Sequence, residues 1–345
     1  MPSFGRPDPD FQYNLAAEKA ALQSWYNVRG VPLSKSDRLL MASWNIANLG
    51  EQKRDLKDLK LIAAILSRFD LIAVQEIKDN LEHFETVVGH MDGDYSWIAN
   101  DTAGNNERLG FIFRKKKVQP GKLFGEIALP ARDFPSYTVI VPYTYRRKEY
   151  VEVYYNLTFT PFDRNPFIGH FTCAGIDFTL VNVHLYFGSF RNSSKVEERA
   201  KYARRVLEIY TLAKWSKKRA RSKNSYDNDI ILVGDMNIPK MDNDDTAFQA
   251  LVKSGLKPVN VHSKAGGSNL DGSKTYDQIA ITPTGIKDRM LLYGIFDFDN
   301  AVFKEKWQNL EARLEKEKAN REFNKYIRFH LSDHRLLWLQ LDTSI

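Results

Sequence analysis

The sequence predicts an α/β protein in which buried strands alternate with amphipathic helices. Residues 230–233 are four aliphatic residues in a row, which is typical of a strand covered on both faces. Residues 39–45, 55–68 and 70–76 have the patterns of a strand, an amphipathic helix and a second buried strand. This βαβ-like order is typical of α/β folds, whose parallel strands are joined by helices.

The remaining elements follow from the period of the apolar residues along the chain. Continuous or alternating apolar runs predict further strands at residues 95–99, 109–114, 137–160 (an antiparallel pair), 167–173, 177–184, 275–281 and 336–341. Helical periodicity predicts helices at residues 11–28, 81–90, 196–215, 246–253 and 303–323. We find no internal repeat and no linker, so one main domain is expected.

Composition narrows the class of protein. Hydrophobic residues make up 43% of the 345 residues, and Lys plus Arg exceed Asp plus Glu by 50 to 43, which favours a polyanionic partner. Cys173 is the single cysteine, which excludes an intramolecular disulfide and favours a reducing compartment. Residues 1–10 lack the apolar core of a signal peptide, and no later stretch has the length to span a bilayer. We therefore expect a cytoplasmic protein without membrane insertion.

Polar residues recur where the predicted strands end. Asp235 and Asn237 follow the central strand, at the sheet edge where α/β proteins bind ligands. Taken alone, each such residue has a structural explanation: an Asx turn, a helix cap or a hydrogen-bonded core histidine. The full set is Asn45, Glu76, His184, Asp235, Asn237, Asp277, Asp333 and His334.

Together these residues contain what hydrolysis of a phosphodiester requires. Carboxylate and amide oxygens are ligands for Mg²⁺, and amides and histidines donate hydrogen bonds to phosphoryl oxygens. A histidine beside a carboxylate transfers protons.

Six motifs in this chain resemble those of the endonuclease/exonuclease/phosphatase superfamily, in the same order and across about residues 39–342. They are Trp44-Asn-Ile-Ala-Asn48, Val74-Gln-Glu76, Val183-His184, Gly234-Asp-Met-Asn237, Tyr276-Asp277 and Ser332-Asp-His334. Residues 106–114 and 163–167 are similar to segments of the deoxyribonuclease I branch. The resemblance implies a four-layer sandwich, two packed mixed β-sheets flanked by helices, with the site at one edge. It also implies an N-terminal helical extension at residues 1–38 and the catalytic domain at 39–345.

The resemblance implies a role for each motif residue. Glu76 is the expected principal Mg²⁺ ligand, with Asn45 beside it, Asp333 supporting metal and water, and Mn²⁺ as a substitute. Asp235 is expected to orient the attacking water and Asn237 to hold a phosphoryl oxygen.

The two histidines have carboxylate partners in this scheme. His334, oriented by Asp277, is the expected general base. His184, oriented by Glu107, is expected to bind the phosphate or protonate the leaving group, while Arg164 offsets charge in the transition state. The division of labour between the histidines and the number of metals stay open at this point.

A Mg²⁺-dependent phosphodiesterase of nucleic acid, acting as a DNA endonuclease, is therefore the expected function. A phosphatase or phospholipase of the inositol-phosphate or sphingomyelin type is the alternative, followed by an inactive nucleic-acid-binding module. Against the abasic-site repair branch, Thr275-Tyr276 precedes Asp277 where that branch has Arg-Leu. Lys78 stands where the deoxyribonuclease I branch has an arginine, so Lys78 is a candidate nucleic-acid contact.

A charged insertion at about residues 300–328 lies where the family has a short loop. Its Glu and Lys/Arg residues recur at helical spacing, which stabilises a solvated helix. Because the insertion ends shortly before the last motif, its cations are alternatively expected to contact a phosphate backbone through Lys316, Lys318 and Arg321.

Overall fold

The structure is a computed structural model that describes residues 3–8, 12–145, 149–188, 192–263 and 265–344. The helices are α1 (Leu15–Val28), α2 (Leu56–Leu66), α3 (Glu82–Gly89), α4 (Lys195–Ala220), α5 (Thr246–Lys253), α6 (Gly285–Asp288), α7 (Lys304–Glu311) and α8 (Lys316–His330). The strands are β1 (Arg38–Leu49), β2 (Leu71–Lys78), β3 (Tyr95–Ala99), β4 (Glu107–Arg114), β5 (Gln119–Glu126), β6 (Ser136–Tyr145), β7 (Glu149–Thr158), β8 (Phe167–Cys173), β9 (Ile176–His184), β10 (Ile230–Asp235), β11 (Lys257–Pro258), β12 (Asp277–Ile281), β13 (Met290–Phe296) and β14 (Leu336–Asp342).

Most of these strands belong to two mixed sheets of six strands each. One has the order β13-β14-β1-β2-β4-β3, and the other has the order β11-β12-β10-β9-β8-β5. An apolar core lies between the two sheets, and a further core on the outer face of each sheet is covered by helices. Strands β6 and β7 form a separate antiparallel ribbon beside α4. The predicted α/β sandwich of two packed mixed sheets flanked by helices is confirmed.

A buried pair of amides joins the two sheets close to the ends of their central strands. Gln75 Nε2 donates to Asn182 Oδ1 at 2.6 Å, and Asn182 Nδ2 donates to the carbonyls of Val74 and Gly110. Because Gln75 precedes Glu76 and Asn182 lies two residues before His184, the bonds hold both strand ends at one height. Buried polar groups bonded in this way favour one register of the two sheets.

The structure differs from the prediction at several elements. Strand β5 was not predicted, because Pro120, Gly121 and Gly125 weaken its pattern and it pairs at a sheet edge with a bulge. Strand β13 was also not predicted, although Met290–Phe296 is mostly apolar; it is another edge strand, and Leu291, Leu292 and Tyr293 are exposed on it.

The expected single helix over 303–323 is instead the pair α7 and α8, and α8 continues to His330. Trp307 and Phe323 pack against each other with ring centroids 5.4 Å apart, which requires the chain to fold back between the two helices. Residues 312–315 are ordinary helix formers, so local propensity does not predict this break.

The N-terminal helix begins later than expected. It starts at Leu15, where the side chain of Asn14 accepts hydrogen bonds from the first turn, and Phe11 lies outside the described residues. Tyr26 of α1 stacks on Phe296, with ring centroids 4.3 Å apart.

The division into an extension at 1–38 and a domain at 39–345 stays a prediction. Among the described residues, no helix combines the length and hydropathy that a membrane span needs.

Candidate active site

The polar residues that follow the predicted strands meet at one edge of the two-sheet sandwich. In the first sheet, β1 and β2 are parallel, and Asn45 lies beside Gln75. In the second, β9 and β10 are parallel, and Asp235 lies beside both His184 and Asp277. Because the carboxyl ends of neighbouring parallel strands share an edge, residues that are distant in sequence become neighbours here.

Glu76 is the central site residue on the first sheet, and it is fully buried. Its carboxylate accepts hydrogen bonds from Asn45 Nδ2 at 3.0 Å and from the backbone N–H of Asn48 at 2.9 Å. Both Glu76 and Asn48 have positive φ, at 60° and 51°. A left-handed backbone at a non-glycine residue costs free energy and is kept where the surrounding structure requires it. The left-handed backbone at Asn48 and Glu76 interrupts the pairing of β1 and β2 after Gln75.

Asp235 lies where the site residues of the first sheet meet those of the second. Its Oδ2 atom accepts a hydrogen bond from Asn45 Nδ2 at 3.2 Å. The same oxygen is 3.6 Å from His184 Nε2 and 3.8 Å from His334 Nε2. The other oxygen, Oδ1, accepts the backbone N–H of Asn237, which is the Asx turn that the local sequence indicates. Asp235 therefore makes the turn and faces both histidines.

His184 is paired with Glu107 from the neighbouring sheet. Nδ1 of His184 is 2.9 Å from Glu107 Oε2, which leaves Nε2 facing Glu76 at 4.0 Å and Asp235. Burial opposes ionisation of Glu107, but the nearby charges of His184, Arg164 and Lys78 prevail and lower its pKa. Glu107 therefore favours its anionic form and lies against Nδ1 of the His184 ring.

His334 has an equivalent partner in Asp277. Its Nδ1 atom is 2.7 Å from Asp277 Oδ2. Burial works to lower the pKa of His334, but the carboxylates of Asp277, Asp235 and Asp333 outweigh it and raise the pKa well above its usual value. The loop that carries His334 is tied to β1, since Ser332 Oγ donates to the carbonyl of Asn45 at 2.6 Å.

The buried oxygens fit a hard divalent cation. Oδ1 of Asn45 and Oδ1 of Asp333 are buried and accept no hydrogen bond from the residues that the structure describes. Burial raises the pKa of Asp333, and nearby Glu76 adds to this effect. Mg²⁺ is held by carboxylate and amide oxygens of this kind, so Glu76, Asn45 and Asp333 are suitable ligands. Acidic and histidine side chains also group as Glu76–Glu107–His184 and Asp235–Asp277–His334.

Three other predicted site residues are buried and are held by neighbouring groups. Arg164 is only 3% exposed, and its guanidinium donates to the carbonyls of His184 and Leu185 at 2.8 and 3.1 Å. Lys78 is 5% exposed, and its ammonium contacts Glu107 Oε1 at 3.0 Å instead of facing solvent. Asn237 donates one amide hydrogen to the carbonyl of Leu185 at 2.9 Å, and its side chain is buried beside Asp235. Arg164 and Lys78 thus stabilise the frame around His184 and Glu107.

The cations predicted on the insertion lie along an exposed part of α8. Lys316, Lys318 and Arg321 are all exposed. At 1.5 Å per residue, Lys316 is roughly 18 Å from Arg328 in the last turn of the helix. The helix therefore connects these exposed cations with the site, without placing them among the paired histidines and carboxylates.

Arg328 is a site residue that sequence reasoning missed. It lines a pocket of about 250 Å³ together with Asp333, His334 and Tyr276. Its Nε atom is buried and has no hydrogen-bond partner in the part of the chain that the structure describes. The signal in the sequence is a basic residue in the last turn of a helix, which is ordinarily explained by the helix dipole.

Arg54 is a second residue that sequence reasoning missed, and it holds the backbone of the site in place. Its Nη2 atom donates to the carbonyls of Ala47 and Leu331 at 2.7 and 2.6 Å. Burial lowers the pKa of Arg54 to about 10, although nearby Asp58, Asp333 and Glu76 favour the charged form. Arg54 thus joins the end of β1 to the segment that carries His334.

A two-sheet α/β sandwich with histidine–carboxylate pairs and metal-binding oxygens at one edge is characteristic of hydrolases of phosphoric esters. The chain belongs to the endonuclease/exonuclease/phosphatase family, whose sequence model matches residues 42–294. Divalent metals are the usual cofactors of this family, which agrees with the buried oxygen ligands.

Comparison with individual proteins gives distant similarities. A protein named deoxyribonuclease from Thioalkalivibrio sp. (strain K90mix) is 25% identical over 239 residues, which cover 66% of this chain and 55% of that protein. This chain thus matches little more than half the length of that relative. Among solved structures, the Bacteroides thetaiotaomicron mannosyl-6-phosphatase is 18% identical with a TM-score of 0.50, over 87% of this chain and 98% of that one. A humanised D. rerio TDP2 is 14% identical with a TM-score of 0.50, over 89% and 100%. Because the identities are low, these two structures support only the assignment of the fold of this chain.

Proposed function

We propose that this protein is a Mg²⁺-dependent phosphodiesterase of nucleic acid that acts as a DNA endonuclease. The observation that carries the proposal is the position of Asp235, whose Oδ2 lies 3.6 Å from His184 Nε2 and 3.8 Å from His334 Nε2. A water held at Asp235 is within reach of one histidine that accepts its proton, while the second faces the phosphate. The name of the Thioalkalivibrio relative and the excess of basic residues support DNA as the substrate.

Proton transfer in this proposal depends on His334. Asp277 accepts the Nδ1 proton of His334, which fixes the tautomer and leaves Nε2 free to take a proton from the attacking water. Asp235 orients that water. His184 has its Nε2 directed to the same space, because Glu107 holds Nδ1, and it donates to the phosphoryl group or the leaving oxygen.

The charge that develops on the phosphoryl oxygens needs cations and donors. Arg328 lines the pocket and supplies a guanidinium, while Asn237 has a second amide hydrogen to donate. Glu76, Asn45 and Asp333 would hold the metal. A bound Mg²⁺ supplies positive charge that polarises a phosphoryl oxygen and offsets the carboxylates that raise the pKa of His334.

The proposal is tested by turnover on a panel of substrates, each with Mg²⁺, Mn²⁺ or chelator. We expect cleavage of plasmid or single-stranded DNA, and weaker or no hydrolysis of RNA, sphingomyelin, inositol phosphates and hexose phosphates. Hydrolysis of a phosphomonoester or a phospholipid in place of DNA would replace the proposed substrate with the alternative one.

The metal assignment is tested with Glu76→Gln, which keeps the shape of the side chain but removes a charged oxygen ligand. We expect this variant to lose both turnover and calorimetrically measured Mg²⁺ binding. Glu82→Gln, the same change at an exposed position of α3, is the matched control and is expected to behave as the wild type. Full turnover in chelator, or unchanged Mg²⁺ binding by Glu76→Gln, would contradict the assignment.

A further inference from the structure

A second pocket adjoins the candidate active site and is built by the charged insertion. It has a volume of about 530 Å³ and lies between α7, α8 and the loop around Leu270. Leu270, Asp271 and Asn324 line both this pocket and the one that contains Asp333 and His334. The two pockets therefore share a wall, and a substrate whose phosphate lies at His334 has the larger pocket directly beside it.

The shape of the insertion leaves one flank of α8 facing this pocket. Phe323 and Ile327 pack into the core, whereas Asn320, Asn324 and Arg328 recur at intervals of four residues on the adjacent flank. Asn320 and Asn324 line the large pocket, and Arg328 lines the site. Each interval advances about 6 Å, so this row leads from the large pocket to the scissile position.

The large pocket suits a neutral ring with hydrogen-bonding edges. Its charged lining residues cancel, because Asp271 and Asp299 are matched by Lys304 and Arg335. Arg335 is moreover held by Asp299 through hydrogen bonds of 2.8 and 2.6 Å, so its charge is already neutralised. A pocket for a second phosphate would need an excess of cations.

Amide and aromatic side chains supply the remaining lining. The side-chain amides of Gln308, Asn320 and Asn324 make no hydrogen bond to any residue that the structure describes, so these amide donors and acceptors are available to a ligand. The indole of Trp307 is half-buried, packs against Phe323 and lines the same pocket. Asn and Gln pair with the edges of bases through two hydrogen bonds, and aromatic rings stack on bases.

We propose that this pocket binds the unpaired nucleobase of the nucleotide attached to the scissile phosphate. The inference rests on the proposed nuclease function and adds a substrate preference to it. A base inside a duplex is stacked and paired, so it cannot enter the pocket without leaving the helix. The enzyme therefore prefers single-stranded DNA, or nucleotides that are unpaired next to the cleaved bond.

Equilibrium binding separates the contribution of the base from that of the phosphate. Deoxyadenosine 5′-monophosphate and deoxyribose 5-phosphate differ by the base alone, and their affinities are measured by calorimetry with the full-length protein and Mg²⁺. We expect the nucleotide to bind roughly ten- to a hundredfold more tightly, which is the range of one stacked and hydrogen-bonded base. The double variant Gln308→Ala/Asn320→Ala, at two residues that line the large pocket and not the one with His334, is expected to lose most of this difference. Asn309→Ala, on an exposed position of α7 outside the pocket lining, is the control.

Turnover tests the contribution of the base with two single-stranded oligonucleotides. They differ at one position, which carries adenine in one and an abasic residue in the other. We expect the double variant to lose kcat/KM on the adenine substrate and to keep it on the abasic one, with its fold checked by circular dichroism. Equal affinities for the nucleotide and deoxyribose 5-phosphate, or tighter binding of mannose 6-phosphate, would overturn the base pocket. Cleavage of DNA without a base effect refutes this inference and leaves the proposed function standing. A base effect in binding without cleavage of nucleic acid refutes the proposed function alone.

Discussion

At the scale of single residues, the site consists of two histidine–carboxylate pairs directed at one aspartate. Glu107 and Asp277 each hold the Nδ1 atom of a histidine, at 2.9 and 2.7 Å, and each Nε2 atom faces Asp235. A carboxylate on Nδ1 selects the tautomer whose Nε2 accepts a proton. The two pairs therefore place two groups that can accept or donate a proton beside the same aspartate.

The histidines provide a prediction at this scale. His334→Ala and His184→Ala are each expected to lower turnover about 10²–10⁴-fold, because each removes a positioned acid or base. His90→Ala, at an exposed position after α3, is the matched control and is expected to keep wild-type turnover. Turnover is measured on the DNA substrate at saturating Mg²⁺. A His334 or His184 variant with near wild-type turnover and an intact fold would assign that histidine a structural role.

At the scale of secondary-structure elements, the ends of neighbouring strands determine where these side chains lie. Strands β9 and β10 run side by side with Gly234 opposite Val183 and Asp235 opposite His184. Gly234 has a φ of 129°, and a Cβ at this position would collide with the backbone carbonyl oxygen of Val183. Glycine is thus required one residue before Asp235, since it combines an unusual φ with a close approach of two backbones.

Gly234→Ala is expected to destabilise the protein by about 1–3 kcal/mol or more, which is the usual cost of a strained backbone position. It is also expected to lower turnover, because β10 must move away from β9 and carries Asp235 with it. Gly285→Ala is the control, since a Cβ there meets no atom within 4 Å and the residue lies at the start of α6. Chemical denaturation of both variants measures the difference. Equal stability of the two variants would show that β9 and β10 separate without cost.

Helix α4 holds two loops of the site through one buried carboxylate. Glu208 accepts the backbone N–H groups of Asp163 and Tyr186 at 3.2 and 2.9 Å, next to Arg164 and just beyond His184. Burial raises the pKa of Glu208 to about 6, although these hydrogen bonds oppose the shift. The folded protein therefore holds this proton at a pH where the unfolded chain has released it.

Glu208 gives a prediction about the dependence of stability on pH. Since its folded pKa lies above its unfolded value, this group's contribution to the free energy of unfolding is greatest below the unfolded pKa. That contribution falls as the pH rises to about 6, by an amount on the order of 2 kcal/mol. Glu208→Gln removes this titration, so the stability difference between wild type and variant should decrease between pH 4.5 and 6 and level off above. If the stability difference between wild type and Glu208→Gln does not change with pH, Glu208 does not titrate in this range.

At the scale of the whole molecule, the insertion adds a wall to one side of the catalytic edge. Helices α7 and α8 pack on the same core as α1 and α2, through Trp307, Phe323 and Tyr326. The exposed cations of α8 lie along this wall, from about 10 Å (Arg321) to about 18 Å (Lys316) from Arg328 by helical rise. A nucleic acid that follows the wall would pass them.

Replacing Lys316, Lys318 and Arg321 together by Gln is expected to weaken DNA binding and to flatten its dependence on salt. The slope of log K against log[salt] should fall by about one unit for each lost phosphate contact. Turnover on a short phosphodiester should be kept, because the metal ligands and histidines are unchanged. The control triple Lys218, Arg219 and Arg221 removes the same charge near the end of α4, at the edge opposite the site. If both triples change the slope equally, the effect reflects net charge and α8 has no special role.

The amino-acid sequence by itself determined the fold class, the order of most elements and the residues at the strand ends. These depend on local information: runs of apolar residues, turn residues and motifs a few positions long. The sandwich of two mixed sheets followed from the resemblance that those motifs support, and the structure and the family match confirm it. The same local analysis missed strand β5, whose Pro and Gly residues weaken its pattern, and the break between α7 and α8, which local propensity does not mark. It also missed β13, although that edge strand is mostly apolar.

Only the tertiary structure decided which side chains face one another. Asn45 and Asp235 are 190 positions apart in the chain but 3.2 Å apart in space, and Gln75 contacts Asn182 across the two sheets. Lys78 is buried against Glu107, while Arg328 lines the site. Charge and spacing do not distinguish these two cations, because burial is set by contacts between elements distant in sequence. Lys78 meets Glu107 because β2 and β4 pair within one sheet, and Arg328 reaches the site on α8, whose packing beside α7 also creates the neutral pocket next to the histidines.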